Sequence, residues 1–362
     1  DLRAVLGRAG ERVAPEFSRF ESWLADELAA SARGDWVLGE TRYTALLRER
    51  ELLDTDTAGL AELGRQSYRQ LDEQMREVAA RVPGGGPDWR AVMESLNADH
   101  PPTLDAMRQE YEDATERARL FLREHELVSF VEGEQCRVVP APVYQRGVLA
   151  VASYFGPPSM TDRRTGHFYV PFTPEGAGPE QVEQRLRTNS RASIPTIAVH
   201  EAYPGHHWHG SVAAGSPRPL RKVLRTSYFS EGWALYAEHM MWERGFFADP
   251  AQELAHLDAR IFRAARIVVD TSLHTGDMGF DEAVDFMATN ASLSPQTARA
   301  EVRRYCSWPT QASSYLTGAL YLERIRDRWS ERNPGAPLRD FHDRIAGSGR
   351  LALSLAERVV LG

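Results

Sequence analysis

Four of the eleven histidines in this 362-residue chain fall between positions 200 and 209, as His200, His206, His207 and His209, and Glu201 directly follows the first. Neutral imidazole is a good zinc ligand, and a catalytic zinc keeps three protein ligands and a fourth position for water. A carboxylate beside the first ligand can then serve as general base toward that water. The chemistry such a cluster supports is hydrolysis.

The spacing is irregular. In the common H-E-x-x-H arrangement two histidines four apart share one helix face, but position 204 is Pro, within the run HEAYPGHH. Proline removes an amide that would bond back along the helix and clashes with the preceding turn, so a bulge or kink is expected here. Two second ligands stay open. An unbroken helix favours His207, seven residues after His200, whereas a bulge absorbing two residues favours His206. Proline tilts the choice toward His206 and leaves His207 as an alternative ligand or a group supporting one. A carboxylate from a later helix should complete the set, and Glu231 stands in SEGWALYAE (230–238). The small residues Gly232 and Ala234 would let that helix approach the first one closely. Glu238, two turns beyond Glu231, points the same way and could orient a ligand histidine through its free ring nitrogen. His209 and His239 read as ordinary packed histidines.

These residues need helices to position them. Phe17, Phe20, Leu24 and Leu28 recur at helical spacing near the N-terminus, and Leu60, Leu63, Tyr68, Leu71, Met75, Val78 and Val82 do so again before PGGGP at 83–87. Thr103 can cap a third helix running to about Glu126. Between Gln135 and Val170 the pattern changes to short β-prone runs, Cys136 to Val139, Val148 to Phe155 and His167 to Val170. The remainder is helical to about Ala346. The expected fold is mainly α, with a small sheet immediately before the metal segment. Residues 1–130 are expected to form an N-terminal helical region and 131–362 the catalytic region, together one catalytic unit.

Composition narrows the class. With 42% hydrophobic and 26% charged residues the chain resembles an average globular protein. Its net charge of −8, with both signs mixed along the chain, argues against a nucleic-acid partner. Cys136 and Cys306 are too few for a disulfide framework or a thiolate metal site. No apolar run is long enough to span a membrane. A cytoplasmic location is expected, although an export signal could precede the opening DLRAVLGRAGERV. No motif bears on oligomeric state.

HEAYPGHH and SEGWALYAE, together with FSRFESWLADELAASARGDWVLG near the start and PTQASSYLTG near the end, resemble the bacterial family catalogued as domain of unknown function 885. The pattern is also similar to gluzincin metallopeptidases. His206-His207-Trp208-His209-Gly210 resembles the second half of the aminopeptidase N motif H-E-x-x-H-x-W-x-G, and Ser230 to Ala234 resembles N-E-G-F-A. Dipeptidyl peptidase III tolerates one extra residue between Glu and the second His; here there are two. The resemblance implies a zincin-like helical metallopeptidase architecture, Zn2+ as cofactor, and His200, His206 and Glu231 as ligands.

The expected activity is cleavage of a peptide or small amide by metal-activated water, with Glu201 as general base and then proton donor to the leaving amine. Tyr315 is the candidate donor to the developing oxyanion. Tyr154, on the 148–155 run, is expected to meet substrate, which could pair with that strand if it is a sheet edge. Arg324 and Arg326 are weaker candidates for holding a substrate carboxylate. The same ligands would also serve a metabolic zinc enzyme acting on one small amide, or a binding protein that kept the scaffold; the intact Glu201 argues against the last.

Overall fold

The computed structural model describes residues 1–149 and 151–362. By contacts the chain divides into two compact units, Asp1–Val37 and Leu38–Gly362. In the first, helix α1 (Leu2–Trp23) carries the expected apolar spacing, begun by the Asp1 carboxylate accepting from the Arg3 amide. Phe20 stacks on Trp23 at 5.8 Å between ring centroids.

The second unit holds all the candidate chemistry. Within this unit the helices of 38–130 and the histidine segment share one apolar core. Helix α2 (Thr57–Ala79) starts where the Asp56 carboxylate accepts from the Gly59 amide, and it turns Leu60, Leu71 and Met75 inward. Helix α3 (Leu104–Glu124) is capped by the Thr103 hydroxyl, which accepts from the Ala106 amide.

Three strands follow, β1 (Gln135–Pro140), β2 (Ser153–Phe155) and β3 (Thr165–Val170), in the order β1-β3-β2. β3 pairs parallel with β1 and antiparallel with β2, so β2 is an edge. Alternate residues of β3, Gly166, Phe168 and Val170, are buried, and Phe168 sets its ring 5.2 Å from that of Tyr111 on α3. The 148–155 run forms a strand only over its last three residues, and Ala150 within it lies outside the described residues. Gly147 and the preceding 3-10 turn at Val143–Gln145 interrupt the extended backbone.

The site helices are α4 (Ile194–Glu201), α5 (His206–Ala214), α6 (Ser227–Glu243), α7 (Pro250–Thr275), α8 (Pro295–Ser307) and α9 (Ser314–Arg332). Helices α6 and α9 approach backbone to backbone at a pair of glycines. A Cβ on Gly318 would lie 2.0 Å from the Tyr228 carbonyl oxygen, and one on Gly232 2.6 Å from the Gly318 backbone. The small residue at 232 therefore serves contact with α9, not the expected approach to the first histidine helix. This crossing joins the helices that carry Glu231 (α6) and Tyr315 (α9). Fusing a methyl into it forces the helices apart, so Gly318→Ala is expected to destabilise the protein by about 1–3 kcal/mol. A urea titration measures this, and an unchanged midpoint with an unchanged slope would show that the crossing tolerates the methyl.

Candidate metal centre

Helix α4 ends at Glu201 instead of bulging and continuing. Ala202 leaves helical geometry (φ −113°, ψ −83°), the Tyr203–Pro204 peptide is cis, and α5 begins afresh at His206. The chain turns back so tightly that the Gly205 amide donates to the Val199 carbonyl at 3.0 Å, and a Cβ on Gly205 would sit 1.9 Å from the His200 carbonyl oxygen. Only glycine fits there. Trp233 fixes the turn from α6 by donating its indole N–H to the Pro204 carbonyl at 2.8 Å.

The break decides between the two candidate histidines. His206 faces His200, their ring centroids 4.8 Å apart, with its Nε2 3.4 Å from Glu231 Oε2. His200 Nε2 lies 3.8 Å from the same oxygen. His207 points the other way into a buried group, with Nε2 2.5 Å from Glu134 Oε2 and Nδ1 3.1 Å from the Tyr154 hydroxyl. Tyr203 donates its hydroxyl to the same Glu134 oxygen at 2.6 Å. His207 thus anchors the turn to the start of the sheet, and sequence reading had no signal for Glu134 as its partner. His209 is buried between the rings of Phe229 and Trp233, and burial holds it neutral, with a pKa well below the usual imidazole value.

His200, His206 and Glu231 each offer a ligand atom, and these atoms lie within 4.8 Å of one another. Tetrahedral zinc with ligand bonds of about 2.0–2.1 Å separates its ligand atoms by about 3.3 Å. The two spacings to Glu231 are close to that, so a small inward shift would close the set on an ion. The tautomer is also correct. Glu238 Oε1 lies 2.6 Å from His200 Nδ1, so that nitrogen donates and Nε2 is the one facing Glu231. Thr196 in turn donates to the other Glu238 oxygen at 3.2 Å. Two imidazoles and a carboxylate, with the first imidazole oriented by a buried acid, match the donor chemistry that zinc selects.

The electrostatics set the acids and histidines of this group apart. Burial alone would lower the His200 pKa, but the Glu231 and Glu238 carboxylates outweigh it and raise the value to about 10. Burial opposes the Glu231 charge, yet His206 and His200 hold that carboxyl well below its usual range. Glu201 shows the reverse balance. Its pKa is raised, chiefly by burial, although the Tyr154 backbone N–H donates to it.

These groups open on a cavity of about 520 Å³. Glu201, Tyr154 and Tyr315 all line it. Tyr154 meets the site mainly through its backbone, because its ring packs over Gly166 and its hydroxyl is held by His207. The Tyr315 ring stacks over His200 at 6.5 Å, and its oxygen accepts from Arg304 at 3.2 Å and from Gln311 at 3.4 Å. Arg324 and Arg326 are elsewhere: Arg324 lies over the Tyr321 ring and Arg326 pairs with Glu243. The arginines that do line the cavity are Arg263 and Arg266 on α7 and Arg304 on α8. Their signal in the sequence is the three-residue spacing of Arg260, Arg263 and Arg266 on a helix whose other residues are largely apolar.

A family model described as "Bacterial protein of unknown function (DUF885)" matches residues 1–360. Curated proteins give no match. Among solved structures, one described as a "putative lipoprotein" from Colwellia psychrerythraea superposes with a TM-score of 0.80 at 22% identity, over 93% of this chain and 58% of its own. A "putative lipoprotein of unknown function" from Shewanella oneidensis superposes at 0.82 with 18% identity, over 99% of this chain and 66% of its own. At these identities the likeness is one of fold, and the chain spans about three-fifths to two-thirds of the length of those two proteins. No described helix is long and apolar enough to cross a membrane.

Because His200 is protonated in the metal-free protein up to about pH 10, a bound divalent ion must displace that proton. Zinc affinity is therefore expected to rise with pH, by up to about tenfold per unit below that value. Calorimetric titration in buffers of different ionisation enthalpy should show proton release on binding. Glu238→Gln is expected to weaken zinc by about 10- to 100-fold, whereas His207→Gln should leave the stoichiometry unchanged. Equal affinity at pH 6 and pH 8 would contradict the assignment of His200 as a ligand.

Proposed function

The chain belongs to the DUF885 family of bacterial proteins of unknown function, and on that premise we propose that it is a zinc-dependent hydrolase of peptide or small amide bonds. One observation carries the reading: His200, His206 and Glu231 converge within 4.8 Å while the uncommitted Glu201 carboxylate sits buried beside them on the same cavity wall. Metal binding alone has no use for that fourth group. The edge strand beside the histidine helices, with the Tyr154 amide turned to Glu201, further supports a zincin-like arrangement.

A bound zinc would be held by His200, His206 and Glu231 and would supply Lewis-acid activation of water and carbonyl. Glu201 has the position and the raised pKa of a group that takes a proton from attacking water and returns it to the leaving amine. Tyr315 supplies a donor for the developing oxyanion. Since its oxygen already accepts from Arg304 and Gln311, its own O–H is left to donate toward the cavity. Glu238 keeps the His200 ring in one tautomer. The cavity volume of about 520 Å³ lies within the range of small-ligand sites, and this favours short substrates, including single small-molecule amides, over long chains.

Zinc-loaded protein is expected to cleave members of a short-peptide and small-amide panel. Glu201→Gln should retain stoichiometric zinc and lose about 10²- to 10⁴-fold in kcat. Tyr315→Phe should lose about 10²- to 10³-fold in kcat with KM nearly unchanged. A Glu201→Gln protein that binds zinc and hydrolyses the panel at the wild-type rate would falsify the mechanism; wild-type protein without affinity for zinc would remove the hydrolase reading itself.

A further inference from the structure

Arg263 carries a charge that the fold does not neutralise by direct pairing. It lines the cavity from α7, and its Nε is buried without a hydrogen-bond partner. Its Nη1 donates to the Ala259 carbonyl at 2.9 Å, and its guanidinium lies over the rings of Phe262 and Tyr315 at 5.3 and 5.7 Å. Among the described residues no carboxylate comes within ion-pair distance of it. The two neighbouring arginines differ. Arg266 is committed to Glu301 at 2.7 Å, and Arg304 reaches Glu301 at 3.4 Å as well as Gln311 and Tyr315. One carboxylate, Glu301, thus serves two arginines, and this wall keeps excess positive charge.

Two acids lie near Arg263 without pairing with it. Glu238 is taken by His200 and Thr196, and Asp258, on the same cavity wall, is hydrogen-bonded by Ser292 with its Oδ1 buried and unpartnered; the Arg263 charge favours the ionised form of both acids without a direct pair. A guanidinium in a cavity wall with no carboxylate to pair with is costly unless a ligand completes it, and a carboxylate matches its planar fork. Position decides which ligand. The Tyr315 ring lies 5.7 Å from the Arg263 guanidinium and 6.5 Å from the His200 ring. A group held by Arg263 therefore lies beside Tyr315, in the same cavity as the carbonyl that Glu201 and Tyr315 would flank.

We propose that Arg263 receives a free carboxylate of the substrate, so that the substrates are short amides ending in a carboxylate: small peptides cut near their C-terminus, or N-acyl amino acids. The inference rests on the hydrolase reading above and names its substrate class. In the reaction the oxygen of water bonds to the amide carbonyl carbon, the C–N bond breaks, and the proton taken up by Glu201 passes to the leaving nitrogen. The products are a carboxylic acid and an amine that carries the carboxylate held by Arg263. A neutral or amidated end would leave the arginine unpaired.

The test uses one tripeptide library made twice, with free C-terminal carboxylates and with C-terminal amides. Binding is measured to the zinc-loaded Glu201→Gln protein, and cleavage by zinc-loaded wild type. The free-acid library is expected to bind about 10- to 100-fold more tightly, the range of a hydrogen-bonded charge pair. Cleavage should show the same preference, expressed mainly in KM. Arg263→Gln should bring both ratios near one, and Arg263→Lys should keep part of them. Each ratio compares two ligands on the same protein, so a partly unfolded variant still reports. Equal binding of acid and amide by Glu201→Gln protein, no binding of either, or a preference that survives Arg263→Gln overturns the proposal. Equal cleavage of acid and amide by the wild type, with Glu201-dependent activity intact, refutes the carboxylate role alone. Tight acid binding without any cleavage by wild type refutes the hydrolase reading and leaves the carboxylate site standing.

Discussion

The backbone between Glu201 and His206 determines which imidazole meets which carboxylate. Had α4 run on, the seven-residue repeat would have brought His207 round to the face of His200. Instead the chain leaves the helix at Ala202 and folds back until Gly205 touches the His200 carbonyl. His206 is then the first residue of a new helix, against His200, and His207 turns toward Glu134. The turn is held from both sides, by Trp233 on α6 through Pro204 and by Tyr203 through Glu134. Because α6 also carries Glu231, one tether fixes the histidines and their carboxylate relative to each other. The glycine contact between α6 and α9 extends the same rigid relation to Tyr315.

Burying this much charge demands pairing, and the pairings are divided by role. Glu238 and Glu134 each pair with a histidine at hydrogen-bond distance, and both are more deeply buried than Glu231. Glu231 lies near two imidazoles at spacings longer than a hydrogen bond, the separation that an ion between them would need. Burial lifts the Glu201 pKa, and the nearby His200 and His206 do not offset it. Three carboxylates within two helices thus reach different protonation behaviour through burial and partner alone.

Much of this was legible in the residues. The candidate residues that the fold brings together, His200-Glu201 and Glu231, stand in local patterns, and the place of Glu238 beside His200 followed from helical repeat. The proline announced a disruption of regular spacing and favoured His206. It did not announce that the helix would end rather than bulge, because that depends on Gly205 finding room against a carbonyl and on Trp233 arriving from a helix some thirty residues on. The sheet was placed correctly, but β2 proved shorter than its β-prone run, since turn chemistry at Val143–Gln145 and Gly147 outweighed propensity. Gly232 read as a point of close approach, which it is, yet toward α9, whose partner glycine lies 86 positions away. Arg263 carried a weak signal only, since an arginine on a helix is ordinarily solvated and its burial is a product of tertiary packing.

The unpaired arginine and the unpaired glutamate belong to one pattern. In a well-packed interior, buried polar groups are satisfied by neighbours, and His207, His200 and Arg266 obey this with partners that the fold supplies. Glu201 and Arg263, one an acid and one a base, both line the cavity, and neither forms an ion pair with a described side chain. Stability alone gives no reason to leave two opposite charges apart when either could have been paired or replaced by an apolar residue. A ligand that is electron-poor at the carbon facing Glu201 and negative at the end facing Arg263 satisfies both, and an amide that ends in a carboxylate has that polarity.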